Sequence, residues 1–134
     1  MKLESGNIYF VVTQEEAVER RKQSAARKEA FFEFWKKGVG LAGVRFFGDG
    51  TKENVARATE IDNLAPDIKK VKSSLGYLSS GEAAFLSSMY SFYNSYDAAD
   101  FCNIANVKSV GDLVILDEGR REVIAGLLIN YGGW

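Results

Sequence analysis

The sequence predicts an α+β fold, predominantly helical, in which an N-terminal strand-long helix-strand unit packs on a C-terminal bundle of three to four short helices. Three observations lead there. A β-branched and aromatic run, "NIYFVV", occupies residues 7 to 12; a capping pattern at Thr13 opens a long amphipathic segment; and apolar residues from Phe85 to Tyr96 recur at spacings of three and four. With 134 residues, 46% apolar and 13% aromatic, one domain over 1–134 can bury a core without disulfides or a structural metal.

The first strand, 7–12, is followed by Thr13 with Glu16 three positions on, the spelling of a capping box. The helix that follows is expected from Gln14 to Lys37. Val18, Ala25 and Phe32 recur every seven residues, and Phe31, Phe32, Phe34 and Trp35 cover roughly 160° of arc, so the last two turns are packed and the first ones exposed. "GLAGVRFFG" at 40–48 reads as the second strand, completing the unit over 1–48, with "DLVIL" at 112–116 as the candidate third strand. Residues 49–65 form a polar connection with a short helix near Lys52 to Thr59. In the helical part, 66–134, Pro66 suits the first turn of a helix to about Leu75. Ser79 with Glu82 caps the next helix, and Ser109 offers a cap before "VGDL". The last helix spans about Asp117 to Tyr131, burying Val123, Ile124, Leu127, Leu128 and Tyr131.

Composition removes whole classes of chemistry. The chain has no histidine, so the hydrolytic triads, histidine-ligated zinc and proximal-histidine haem lack their central residue. Its single cysteine, Cys102, forbids an internal disulfide and any C-x-x-C pattern, in agreement with a reducing compartment. No apolar run is long enough for a membrane span and the N-terminus has no signal-peptide pattern, so a cytoplasmic protein with no membrane partner is expected. The net charge of −1 divides into +3 over residues 1–72 and −4 over 73–134. Neither half has the strongly basic balance of a nucleic-acid-binding domain, although opposite halves could attract within or between chains.

Four patterns are weighed for chemistry. Gly38, Gly40 and Gly43 spell G-x-G-x-x-G, but a helix precedes them and a strand is expected after them, the reverse of a dinucleotide turn. They read as a junction, with Gly38 the left-handed residue that ends the helix. Asp49, Thr51, Glu53 and Glu60 fall at positions 1, 3, 5 and 12 of a calcium loop, although Asn54 stands where glycine is wanted. A divalent-cation-dependent activity at 49–60 is thus one alternative, against a solvated loop. Arg20, Arg21, Arg27 and Lys28 form an anion or partner surface, interleaved with Glu15, Glu16, Glu19 and Glu29, so a solvated helix face competes with phosphate binding and nucleic acid is an unfavoured partner. Met89, Tyr90, Tyr93 and Tyr96 could line a pocket for a small aromatic or lipid-like ligand, or pack as core. Cys102, among Phe101, Ile104 and Ala105, reads as an inert thiol, and Arg120 and Arg121 as members of surface ion pairs.

The segment from Leu78 to Trp134, "LSSGEAAFLSSMYSFYN" through "GDLVILDEGRREVIAGLLINYGGW", resembles the C-terminal part of small bacterial proteins carried as cassettes in integrons and other mobile elements. That resemblance implies a compact accessory gene product and assigns no site residues. The functional expectation is a non-catalytic interaction or structural module that self-associates as a homodimer or binds another protein, with no cofactor.

Overall fold

In the computed structural model, residues 13–133 are described in full, together with the backbone of β1 (Lys2–Glu4) and β2 (Asn7–Tyr9). The fold is an all-helical bundle, which corrects the α+β expectation. The strand-helix-strand unit is not present. The backbone of β2 pairs antiparallel with β1 in a ladder three residues long and with nothing at 40–48; residues 10–12 of the expected first strand lie outside the described residues. Among residues 13–133 no strand forms, only an isolated bridge between Phe47 and Pro66.

The reason lies in α1, Gln14–Ala42, which runs on through the first two glycines. Thr13 Oγ1 accepts the Glu16 amide at 3.0 Å, and Glu15 and Glu16 complement the positive end of the helix. At the other end the left-handed residue is Gly43, at φ 121°, whose amide donates to the Val39 carbonyl. Gly38 sits inside the helix and is buried. A Cβ there would lie 2.7 Å from Met89 Cε and Sδ and 3.0 Å from Val123 Cγ1, so Gly38 lets three helices meet. Phe31, Trp35 and Val39 continue a helical spacing straight through Gly38, and their burial outweighs the cost of glycine in a helix, about 1 kcal/mol each. Val44–Phe46 then makes one 3-10 turn.

From Gly48 to Ala65 the chain leaves the bundle and returns. The neck is closed by Gly48 N–H donating to the Ala65 carbonyl at 2.8 Å and Asp67 N–H to the Phe46 carbonyl at 2.7 Å. The excursion contains α2 (Lys52–Arg57), capped by Thr51, and a turn at Ile61–Leu64. Leu64 is buried beneath Trp35, and Trp35 Nε1 donates to the Leu64 carbonyl at 3.0 Å. Next comes α3 (Ile68–Ser74), capped by Asp67 and not started by Pro66, which occupies the bridge.

The hub is α4, Ser80–Tyr93, where every residue from Ala83 to Tyr90 is buried. A helix buried all round lies inside the bundle. Its small residues allow close neighbours: Ser87 Oγ donates to the Phe101 carbonyl of α5 (Ser95–Ile104) at 3.3 Å. The Ser79–Glu82 capping box is reciprocal, with both bonds in place at 3.0 and 3.2 Å. After Asn106, left-handed at φ 60°, the expected third strand is instead a 3-10 segment, Val110–Ile115. Asp112 is the cause: its carboxylate accepts the amides of Lys108 and Ser109 at 2.8 and 3.0 Å and winds the chain tightly. The chain then enters α6, Glu118–Asn130, capped by Asp117 and packed along α1 and α4.

Candidate functional site

The residues that bear chemistry are mostly occupied in holding turns. Asp49 accepts both the amide and the hydroxyl of Thr51, at 2.9 and 2.6 Å, while Thr51 in turn accepts the Asn54 amide and caps α2. Glu60 belongs to another turn, where Asn63 Oδ1 accepts its amide at 3.1 Å. Of the four oxygen-bearing residues of the expected calcium loop, Asp49 and Thr51 are tied in one cap, Glu53 lies in the first turn of α2 and Glu60 caps a separate turn. Among the described residues no group of three or more acidic or cysteine side chains is placed to hold a metal ion. The Thr51 hydroxyl bond holds the Asp49 carboxyl below its usual range, and the bonds from Ser79, Lys108 and Arg120 do the same at Glu82, Asp112 and Asp117.

The tyrosines do not converge. Met89 and Tyr90 are buried, Tyr90 edge-on to Phe101 at 5.0 Å, while Tyr93 lies beside Trp35 and donates at 3.5 Å to Asp62. Tyr96, 89% exposed, stands on α5 and faces solvent. Burial pushes the phenols of Tyr90 and Tyr93 above their usual pKa, so neither offers a phenolate. Arg20, Arg21, Arg27 and Lys28 are all exposed on the N-terminal half of α1. Of these, Arg20 and Arg27 border one shallow depression with Gln23, Ser24 and Gly132. Cys102 is half-buried, its thiol pushed up by burial.

The two arginines expected on the surface have structural tasks. Arg120, beside the ring of Phe85, pairs with Asp117 and donates to the Leu41 carbonyl at 3.3 Å, tying the start of α6 to the end of α1. Arg121 donates from Nε to the Leu116 carbonyl at 2.8 Å and from its guanidinium to the Val114 carbonyl. It therefore straps the 3-10 segment along α6.

That strap builds the one feature the sequence did not announce. Val110 (84% exposed) and Val114 (73%) on the 3-10 segment share one concavity with Leu128 (66%) on α6. Two adjoining open concavities, of about 270 and about 470 Å³, run along this face and share Val110, Leu113, Ile124 and Leu128. Leu128 is half of a correction: it was expected in the core with Tyr131, and both are exposed. The apolar positions of α6, 123, 124, 127, 128 and 129, span too wide an arc for one buried face; Val123, Ile124 and Leu127 take the core and the other two remain outside.

No helix among the described residues is long and apolar enough to cross a membrane. Compared with protein-family models, curated proteins and solved structures, the chain gives no match in any of the three.

Proposed function

We propose that this chain is a non-catalytic interaction module, an accessory product of the integron-cassette kind, that works in the cytoplasm as a homodimer. The observation that supports it is the exposed apolar face of Val110, Val114 and Leu128, held in place by the Arg121 strap. Covering Val110, Val114 and Leu128 with a partner's apolar side chains would take their exposed surface out of water, which favours association. The half-buried thiol of Cys102 suits a reducing compartment. Light scattering coupled to size exclusion tests the reading. The wild-type chain is expected as a dimer at high micromolar concentration, and Val114→Asp as a monomer with an unchanged melting temperature, because Val114 is not part of the core. A wild-type chain that stays monomeric at that concentration would count against it.

A further inference from the structure

We infer that the cleft between α1 and residues 59–62 of the excursion binds a small aromatic organic cation. Its ammonium group lies among Glu60, Asp62, Tyr93 and Tyr131, and its ring against Phe32 and Ile61. None of Val110, Val114 and Leu128 lines this cleft, so the inference goes beyond the interaction reading and stands without it.

The cleft consists of two open concavities, of about 340 and about 360 Å³, that share Lys28, Phe31, Glu60 and Ile61. The α1 helix gives one wall and the excursion the other, with buried Phe31 at the floor. Ala25 and Phe32 complete the apolar side of the first concavity; Asp62 and the rings of Phe92, Tyr93 and Tyr131 complete the second. The excursion's wall is held by its own bonds. Asn63 Oδ1 accepts the amides of Thr59 and Glu60 at 3.0 and 3.1 Å, Leu64 is seated beneath Trp35, and the Tyr93 hydroxyl donates to Asp62 at 3.5 Å. A wall already ordered in the free chain lowers the entropic cost of binding.

Charge decides the sign of the ligand. The lining sets three carboxylates, Glu29, Glu60 and Asp62, against Lys28, the one basic side chain among its described residues. An anion meets more repulsion than attraction here, and a cation the reverse. The rings act in the same direction, because the face of an aromatic ring carries the negative part of its quadrupole and draws a cation lying within about 6 Å of its centroid. Tyr93 and Tyr131 are 40% and 42% exposed, and Glu60 and Asp62 are exposed beside them. Among the described residues no three acidic side chains converge on a metal position, which leaves an organic cation. The apolar first concavity then favours one that carries a flat apolar body, since a bare ammonium would leave that surface in water.

The test uses three probes of similar shape and different charge: phenethylammonium, 2-phenylethanol and 3-phenylpropanoate. Each is titrated at neutral pH and low salt into the full chain and followed through the backbone amide resonances. Phenethylammonium is expected to shift the amides of Lys28, Ile61 and Tyr93 with a dissociation constant on the order of 1 mM, ordinary for so small a ligand. It should bind about tenfold more tightly than the alcohol, and the carboxylate should bind most weakly. Asp62→Asn should weaken the cation about threefold and Lys28→Gln should tighten it by a similar factor, each with an unchanged melting curve. About 1 M salt should flatten both differences. If the alcohol or the carboxylate binds the wild-type chain as tightly as the cation, the assigned charge is wrong. Shifts confined to other parts of the chain, or none with any probe up to about 20 mM, would overturn the site itself. Both of these outcomes are read on the wild-type chain, so they decide the matter even where a variant fails to fold.

Discussion

From Gln14 to Glu29, α1 leaves nearly every side chain in solvent, whereas from Phe31 to Ala42 the same helix buries Phe31, Trp35, Gly38 and Val39 against α4 and α6. One half is helical because of what is near it in sequence: the Thr13 cap, the acidic first turn, and alanines and charged residues of good propensity. The other half is helical because of what is near it in space, and it keeps two glycines that local preference would reject. The difference teaches that a continuous helix can have two separate causes, and that each half should respond to a different kind of mutation.

The largest effect is expected at Trp35, which is fully buried and whose indole satisfies the Leu64 carbonyl. Trp35→Ala should lower the unfolding free energy by about 3–5 kcal/mol in a urea titration, because it leaves both a cavity and an unpaired carbonyl. A loss below about 1 kcal/mol would mean that the packed half of α1 does not depend on this anchor. Next comes Gly38→Ala, expected to cost about 1–2 kcal/mol through collision with Met89 and Val123. In a Met89→Ala background the same change should turn favourable, since alanine is the better helix former once space is opened. A penalty of equal size in both backgrounds would mean that Met89 is not what limits a side chain at position 38. The smallest effect belongs to the exposed half: Thr13→Ala removes the acceptor for the Glu16 amide, worth about 1 kcal/mol to the local helix. Amide exchange measured by mass spectrometry should speed up over residues 14–20 while the melting temperature stays put. A matching fall in melting temperature would show that the two halves unfold together.

The same division explains what could be read from the sequence. Local signals were legible. Ser79 with Glu82 formed its reciprocal cap, Thr13 capped α1, and the apolar spacing from Phe85 onward marked the helix that became the hub. Signals that depend on distant partners were not. "GLAGVRFFG" reads as a strand because Leu41, Val44, Phe46 and Phe47 are apolar or aromatic residues set between glycines, yet Val39 and Gly38 hold α1 against α4 and α6, Gly43 ends that helix, and Phe46 enters the core from a 3-10 turn. "DLVIL" has the composition of a strand, and the Asp112 carboxylate bends it into 3-10 turns. The candidate interface was hidden for the same reason: an exposed Leu128 differs from a buried Leu127 only in which side of α6 meets the bundle. Tyr90, Tyr93 and Tyr96 share a stretch of sequence, but burial and a change of helix after Asn94 turn them apart.

The setting of Trp35 has an optical consequence. Its indole is held by one hydrogen bond, stacked with Phe31 at 6.2 Å and crossed by Phe47 at 5.7 Å, so it is fixed in an asymmetric field. A fixed aromatic ring gives sharp near-ultraviolet dichroism, which disappears when tertiary packing loosens even if the helices persist. The exposed half of α1 contributes only to the far-ultraviolet signal of its backbone. The molecule thus carries two spectroscopic channels, one reporting the packed half of its longest helix and the other dominated by helix content, and a thermal scan that follows both would show the free half melting before the core.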